Sequence, residues 1–332
     1  MRDVPDPPIA PWDPPDYRVG ADGKVSGATP GEPNNWGRWG ADDQRGTANL
    51  LTPERVASAA ALARTGRQFS LGLPIGGGIN APGHFRPPPL HLYRFAAGDG
   101  VLTGGPGGFV GSDDYIVMAL QATTQLDGLT HVGADHVLYN GYWAGLVTAG
   151  SGGRRLGVHN VAGGLAGRAV LLDVARHARV AHLEPGVAVG PDELAATASA
   201  QGVTVGAGDI VLVRTGHIGW WLGLGAADKE QVGRNEPGLS ARAIPWLAEH
   251  DVALIATDTT ACEVVPPEPD APFLTFHIGA LRDLGLYIGE LFDLDALATD
   301  CAADGVHEGL FVAAPVPVVG GAGSPLNPIV FK

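Results

Sequence analysis

Three things are scarce in this 332-residue chain. Cysteine is the first. Only Cys262 and Cys301 occur, and they form neither a disulfide scaffold nor a Cys-x-x-Cys metal or redox motif. The pair reads as reduced, structural thiols. Positive charge is the second: 21 Lys and Arg against 35 Asp and Glu leave a formal net charge of −14. That balance argues against nucleic acid or an anionic membrane surface as a partner. Long apolar runs are the third, since no stretch approaches the roughly 18 residues of a membrane span. The N-terminus also shows no basic-then-apolar signal pattern. The expectation is a cytoplasmic protein with a small-molecule substrate. Several catalytic motifs are absent too: there is no strand-to-helix Gly-x-Ser-x-Gly elbow, no His-Glu-x-x-His and no Walker loop.

Glycine (50 residues) and proline (27) are abundant and imply long, shaped loops, where catalytic residues tend to sit. Residues 1–35 hold eight prolines and no aliphatic periodicity, so they read as an extended arm. Residues 36–332 read as a single α/β domain. Thr52-Pro53 caps a helix, with proline at its first position. Aliphatic strands at 68–73, 169–174, 208–214, 252–256, 286–291 and 310–314 are interleaved with helices at 190–201, 239–250, 276–283 and 293–303. Residues 84–94 read as a substrate-covering loop carrying His84 and His91.

One stretch breaks the pattern. The β-prone run Tyr115 to Leu120 reads as a buried strand, and it continues into Gln121-Ala122-Thr123-Thr124-Gln125-Leu126-Asp127-Gly128-Leu129-Thr130-His131. Amides, a carboxylate and an imidazole replace the aliphatics there, and burying such groups is costly unless something pairs them. In an extended chain Gln121, Gln125, Asp127 and His131 share a face, but a straight strand would spread the outer two by about 33 Å. A bend is therefore needed, and Gly128 offers one. The residues alone leave two readings open: a hydrogen-bonded strand end, or a centre for a metal or substrate.

The eleven residues resemble the signature of the cyclase family of metal-dependent hydrolases, which includes bacterial kynurenine formamidase and isatin hydrolase. That signature reads His-x-Gly-Thr-His-x-Asp-x-Pro-x-His. Thr124, Asp127 and His131 match it, while Gln121 and Gln125 stand in the two leading histidine positions. Tyr139-Asn140-Gly141, Pro237-Gly238-Leu239-Ser240 and the segment from Gly323 to Pro328 extend the likeness along the chain. The resemblance implies a swivelling β/β/α domain with a mixed sheet packed with helices, assembled as a homodimer or homotetramer. It also implies divalent ions, zinc or manganese, held by the motif's histidines and aspartate together with a late histidine and glutamate. His277 and Glu290 fall at those late positions, and the motif's last histidine, His131, becomes the proton shuttle.

Two glutamines weaken that set, because an amide oxygen is a poor ligand beside an imidazole. Asp127, His277 and Glu290 remain, enough for one ion and harder than the family's set, which favours manganese or magnesium over zinc. Gln121 and Gln125 then complete the ion's shell or orient the substrate. Thr124, His136, His217, His84 and Tyr139 are candidate substrate contacts. The leading expectation is hydrolysis of a small cyclic or N-acyl amide or a lactone, by a metal-activated water with His131 as general acid/base. A metal-free cyclase, dehydratase or isomerase using His131 as sole base stays open, as does a non-catalytic ligand-binding protein.

Overall fold

The computed structural model describes residues 16–76, 86–104, 106–269 and 271–332. Its centre is a nine-stranded mixed sheet. In spatial order the strands are Gln68–Ser70, Ile329–Phe331, Glu308–Ala313, Leu165–Asp173, Ile210–Arg214, Leu254–Thr257, Tyr287–Glu290, Gln125–Asp127 and Gly323–Pro325. Four adjacent strands, Leu165–Asp173 through Tyr287–Glu290, run parallel. They are covered on both faces, so their residues are aliphatic almost throughout, as in Ile210-Val211-Leu212-Val213. Antiparallel strands close both ends. The expected α/β architecture of a mixed sheet packed with helices is the one found.

The helices lie where capping chemistry puts them. Thr52 Oγ1 accepts the backbone N–H of Arg55 to open Pro53–Ala60. Pro191–Gln201 stops at Gly202, whose φ of 67° is left-handed. The helix expected at 276–283 forms as a short α turn, Thr275–His277, that passes into a π-helical stretch, Ile278–Leu284, and halts at Gly285 (φ 63°). Cys262 and Cys301 are both free and buried. Among the described residues no helix is long and apolar enough to cross a membrane.

Within the proline-rich segment, residues 16–35 lie along the body. Gly31 donates its N–H to Asp283 Oδ1, and Arg282 Nη2 donates to the carbonyl of Thr29. The neighbouring Trp36 Nε1 bonds the carbonyl of Arg282. The first fifteen residues of the arm, and His84, fall outside the described residues.

Two expectations about surface and core are corrected. The run at 115–120 is not a buried strand: Asp113–Val117 is exposed at every position and pairs antiparallel with Leu90–Phe95. The covering loop proposed at 84–94 therefore ends in a strand. Apolar, β-branched residues report strand propensity, and nothing in such a run says whether a second layer will cover it. His217, a candidate substrate contact, starts a helix, His217–Gly223, and is fully buried rather than open to a substrate.

Candidate active site

The polar stretch forms a strand only at its middle, Gln125–Asp127. That strand sits between Tyr287–Glu290, which places Glu290 opposite Gln125, and Gly323–Pro325, which places Gly323 opposite Asp127. Gln125, Asp127 and Glu290 thus share one face of the sheet. Beyond Asp127 the chain turns sharply, with the N–H of His131 bonded to the carbonyl of Gly128 at 2.9 Å. The turn brings His131 Nε2 to 3.8 Å from Asp127 Oδ1. The bend expected at Gly128 is this turn.

The opposite wall comes from the α-to-π helix. His277 Nε2 lies 3.4 Å from Glu290 Oε1 and 3.9 Å from Asp127 Oδ2. Its other nitrogen, Nδ1, donates to Glu263 Oε1 at 3.1 Å, and Glu263 Oε2 accepts the N–H of Phe276. This bond fixes the ring so that Nε2 faces the two carboxylates. π segments recur at functional sites because they re-aim a side chain within a helix, and here one begins directly after His277.

Asp127, His277 and Glu290 present ligand atoms within 4.8 Å of one another, all buried. Asp127 is 0% exposed, yet among the described residues both its carboxylate oxygens lack a hydrogen-bond partner, as does Gln125 Oε1. Gln125 Nε2 donates instead to Glu290 Oε2 at 2.5 Å. Burial and the nearby Asp127 charge push Glu290 up to about 8, against the pull of His277. Burial on its own would lower His277, but hydrogen bonds to Glu263 and Glu290 hold it up at about 10. Both shifts express one demand: concentrated buried negative charge that needs a positive partner. A divalent cation meets that demand, and the unpartnered oxygens of Asp127 are the donors it would use. The residues present therefore fit one metal ion.

Above this cluster is a cavity of about 340 Å³. His131, Glu236, Glu263, His277, Glu290, Arg86 and Arg234 are the charged and imidazole side chains in its lining. Val132, Val264, Val265, Phe273 and Leu274 supply its apolar walls.

Residues 12–264 match the sequence model of the Cyclase family. The chain belongs to the cyclase family. A crystal structure of a novel cyclase is 39% identical, superposes with a TM-score of 0.85, and is matched over 90% of this chain and 97% of its own. Isatin hydrolase A from Labrenzia aggregata (19% identity, TM-score 0.55, 80% and 94% covered) shares the fold. So does isatin hydrolase A from Ralstonia solanacearum (20%, 0.55, 82% and 95%). No curated protein sequence matches the chain.

In this cyclase-family chain the structure gathers Asp127, His277, Glu290, His131 and Gln125 around one point. Gln121 joins them at the Gly323 backbone: a Cβ added there would lie 2.8 Å from Gln121 Nε2 and 3.6 Å from Asp127 Oδ1. The other candidates lie elsewhere. The Thr124 hydroxyl donates to the carbonyl of Leu291 and accepts the N–H of Leu73, so it joins strands. Tyr139 is buried, and its hydroxyl bonds Asp43; burial and that carboxylate push its phenol well above the ordinary range. His136 is exposed, packs on Tyr17 and borders a second, open hollow that shares His131 with the cavity. His217 lies behind the wall, with Nε2 at 3.9 Å from Glu236 Oε2.

Sequence reasoning passed over Glu263, Glu236, Arg86 and Arg234. Glu263 left one trace, a lone carboxylate in the apolar run Ala261-Cys262-Glu263-Val264-Val265. Glu236, which accepts the N–H groups of Thr260 and Ala261, had no comparable signal.

Proposed function

We propose that this cyclase-family protein is a metal-dependent hydrolase of a small cyclic or N-acyl amide or a lactone. The observation that carries the reading is Asp127, whose two buried, unpartnered oxygens face His277 on one side and His131 on the other. Asp127, His277 and Glu290 would hold one manganese or zinc ion. When bound, such an ion supplies Lewis acidity and lowers the pKa of a coordinated water.

The chain's own residues do the rest. Gln125 clamps Glu290 Oε2, which leaves Oε1 on the side of His277. His131 is 22% exposed at the cavity, so it can exchange protons with solvent while it reaches the reacting atoms. It takes a proton from the water that adds to the carbonyl carbon. It then returns that proton to the nitrogen or oxygen that leaves as the C–N or C–O bond breaks. The apolar walls suit a ring or acyl group, and a volume of about 340 Å³ suits a small substrate.

The test measures metal content and hydrolysis together, on a panel of N-formyl arylamines, lactams and lactones. About one ion per chain is expected, with activity lost on chelation and restored by manganese or zinc. Asp127→Asn should lose the ion, and His131→Ala should retain it while turnover falls by roughly 10²–10⁴-fold. Full hydrolysis by a protein holding no ion would overturn the metal dependence, and a protein that holds no ion and hydrolyses none of the panel would favour His131 as sole base of a ring closure, dehydration or isomerisation.

A further inference from the structure

Glu236 and the motif Pro237-Gly238-Leu239-Ser240 that follows it have no part in the proposed hydrolysis, yet both press on one turn of the site. That turn, residues 260–265, carries Glu263, whose carboxylate holds His277 Nδ1 and the N–H of Phe276. It is a tight turn. The N–H of Glu263 closes on the carbonyl of Ala261, and Cys262 between them has a φ of 56°. Left-handed backbone is unfavourable for a residue with a side chain, and it persists where the surroundings hold it.

Residues 236–239 supply the hold. Glu236 is 2% exposed, and its side chain accepts two consecutive N–H groups, Thr260 on Oε2 at 2.8 Å and Ala261 on Oε1 at 2.6 Å. Its own backbone exchanges two bonds with Val265 at the far end of the turn. Leu239 donates to the carbonyl of Cys262 and accepts the N–H of Val264. Gly238 lets the two segments touch, since a Cβ there would lie 2.4 Å from the carbonyl carbon of Glu263. The turn is thus bonded at each end and on both sides of Glu263.

A buried acid is a costly way to hold a loop. Burial pushes Glu236 up to about 8 against the two N–H bonds. Beside its Oε2, at 3.9 Å, stands His217 Nε2, with no hydrogen-bond partner among the described residues. With or without its proton, each oxygen of Glu236 can accept an N–H, whereas the nitrogen of an amide cannot. A glutamine there would leave one of the two N–H groups facing a donor.

We propose that Glu236 is a positioning residue for the candidate metal site: it sets the 260–265 turn so that Glu263 meets His277, and through Glu263 it aims Nε2 at Asp127 and Glu290. A change at Glu236 is then felt at His277 without any contact between the two side chains. The inference rests on the metal reading for its effect on affinity, while its effect on the bond between Glu263 and His277 is independent of any ion.

Two measurements on the full chain test this, with Glu236→Gln as the variant. In the metal-free protein, proton NMR should show the Nδ1–H of His277, bonded to a carboxylate, as a downfield signal that His277→Gln removes. In Glu236→Gln that signal should move upfield or vanish into exchange with water. A signal absent from the wild type, or unmoved in the variant, overturns the proposal. In competition with a chelator, Glu236→Gln should bind manganese roughly 10-fold more weakly. Added to Glu263→Gln, the same change should cost no more than about 2-fold further, because both act on one contact. Losses that multiply in the double variant overturn the route through Glu263. A wild type that binds no manganese sinks the metal reading and leaves the NMR signal to decide this one. Should Glu236→Gln unfold, Gly238→Ala, which pushes on the backbone of Glu263 from the same segment, is read in the same two ways.

Discussion

Glu263 has one oxygen on His277 Nδ1 and the other on the N–H of Phe276, and so fixes both the ring's orientation and its tautomer. A carboxylate in that position raises the basicity of the nitrogen that faces a metal, and losing such a partner commonly costs 10–100-fold in metal affinity. Glu263→Gln should therefore weaken manganese or zinc binding by roughly 10–100-fold, read by competition with a chelator of known affinity. The amide keeps only one acceptor oxygen for the two donors, Nδ1 and the Phe276 N–H, so the metal-free variant should also melt somewhat below the wild type. Unchanged affinity would reduce Glu263 to a packing residue. At this scale the sequence was partly legible. Asp127 and His131 stood out because they interrupt an apolar pattern and fall on a spacing. His277 and Glu290 were found through the family likeness alone, because a single histidine in a helix carries no mark of its role. Thr124 and Tyr139 misled: a buried hydroxyl that joins strands and one that binds substrate look alike in sequence.

Among the elements, the most demanding contact is between the strand at 125–127 and its neighbour at 323–325. Gly323 lies flat against the site. A Cβ there would come within 2.7 Å of the carbonyl oxygen of Leu126 and 2.8 Å of Gln121 Nε2. Gly323→Ala should destabilise the fold by roughly 1–3 kcal/mol, as overpacking does, and displace Gln121 from beside Asp127. Urea denaturation combined with metal content would show both effects, and a fully stable variant with full metal occupancy would contradict them. The strand at 323–325 was not legible. Gly-Ser-Pro is short, proline-containing and free of alternation, and it pairs only because a neighbouring edge was open. The long strands at 165–173 and 210–214 were legible because burial on both faces demands aliphatic runs. The hairpin of strands 90–95 and 113–117 was half legible: its β character showed in residues 115–117, its exposure did not.

For the whole molecule, acid should find a weak point at His217. Burial, with some repulsion from His182, lowers its pKa to about 4, and neither ring nitrogen has a hydrogen-bond partner among the described residues. An unfolded chain binds that proton near pH 6.5, whereas the folded chain refuses it until about 4. Stability is therefore intact above about pH 6.5 and falls as pH drops through that window, by up to about 3 kcal/mol from this residue. The loss in unfolding free energy between pH 7.5 and 4.5 should be smaller in His217→Gln than in the wild type. Equal losses would place the acid sensitivity elsewhere.

The sheet order also has a consequence in time. The strand carrying Asp127 has no strand partner until residues 287–290 and 323–325 exist, because its two neighbours lie more than 150 residues downstream. The parallel strands at 165–173, 210–214 and 254–257 can associate as the chain emerges from the ribosome. The strand with Asp127 must wait uncovered, holding a carboxylate and a glutamine in water rather than a sticky aliphatic edge. A polar strand is the safer one to leave waiting. The site is thus among the last parts of the sheet to close, and its candidate ligand set is complete only once Glu290 has been made.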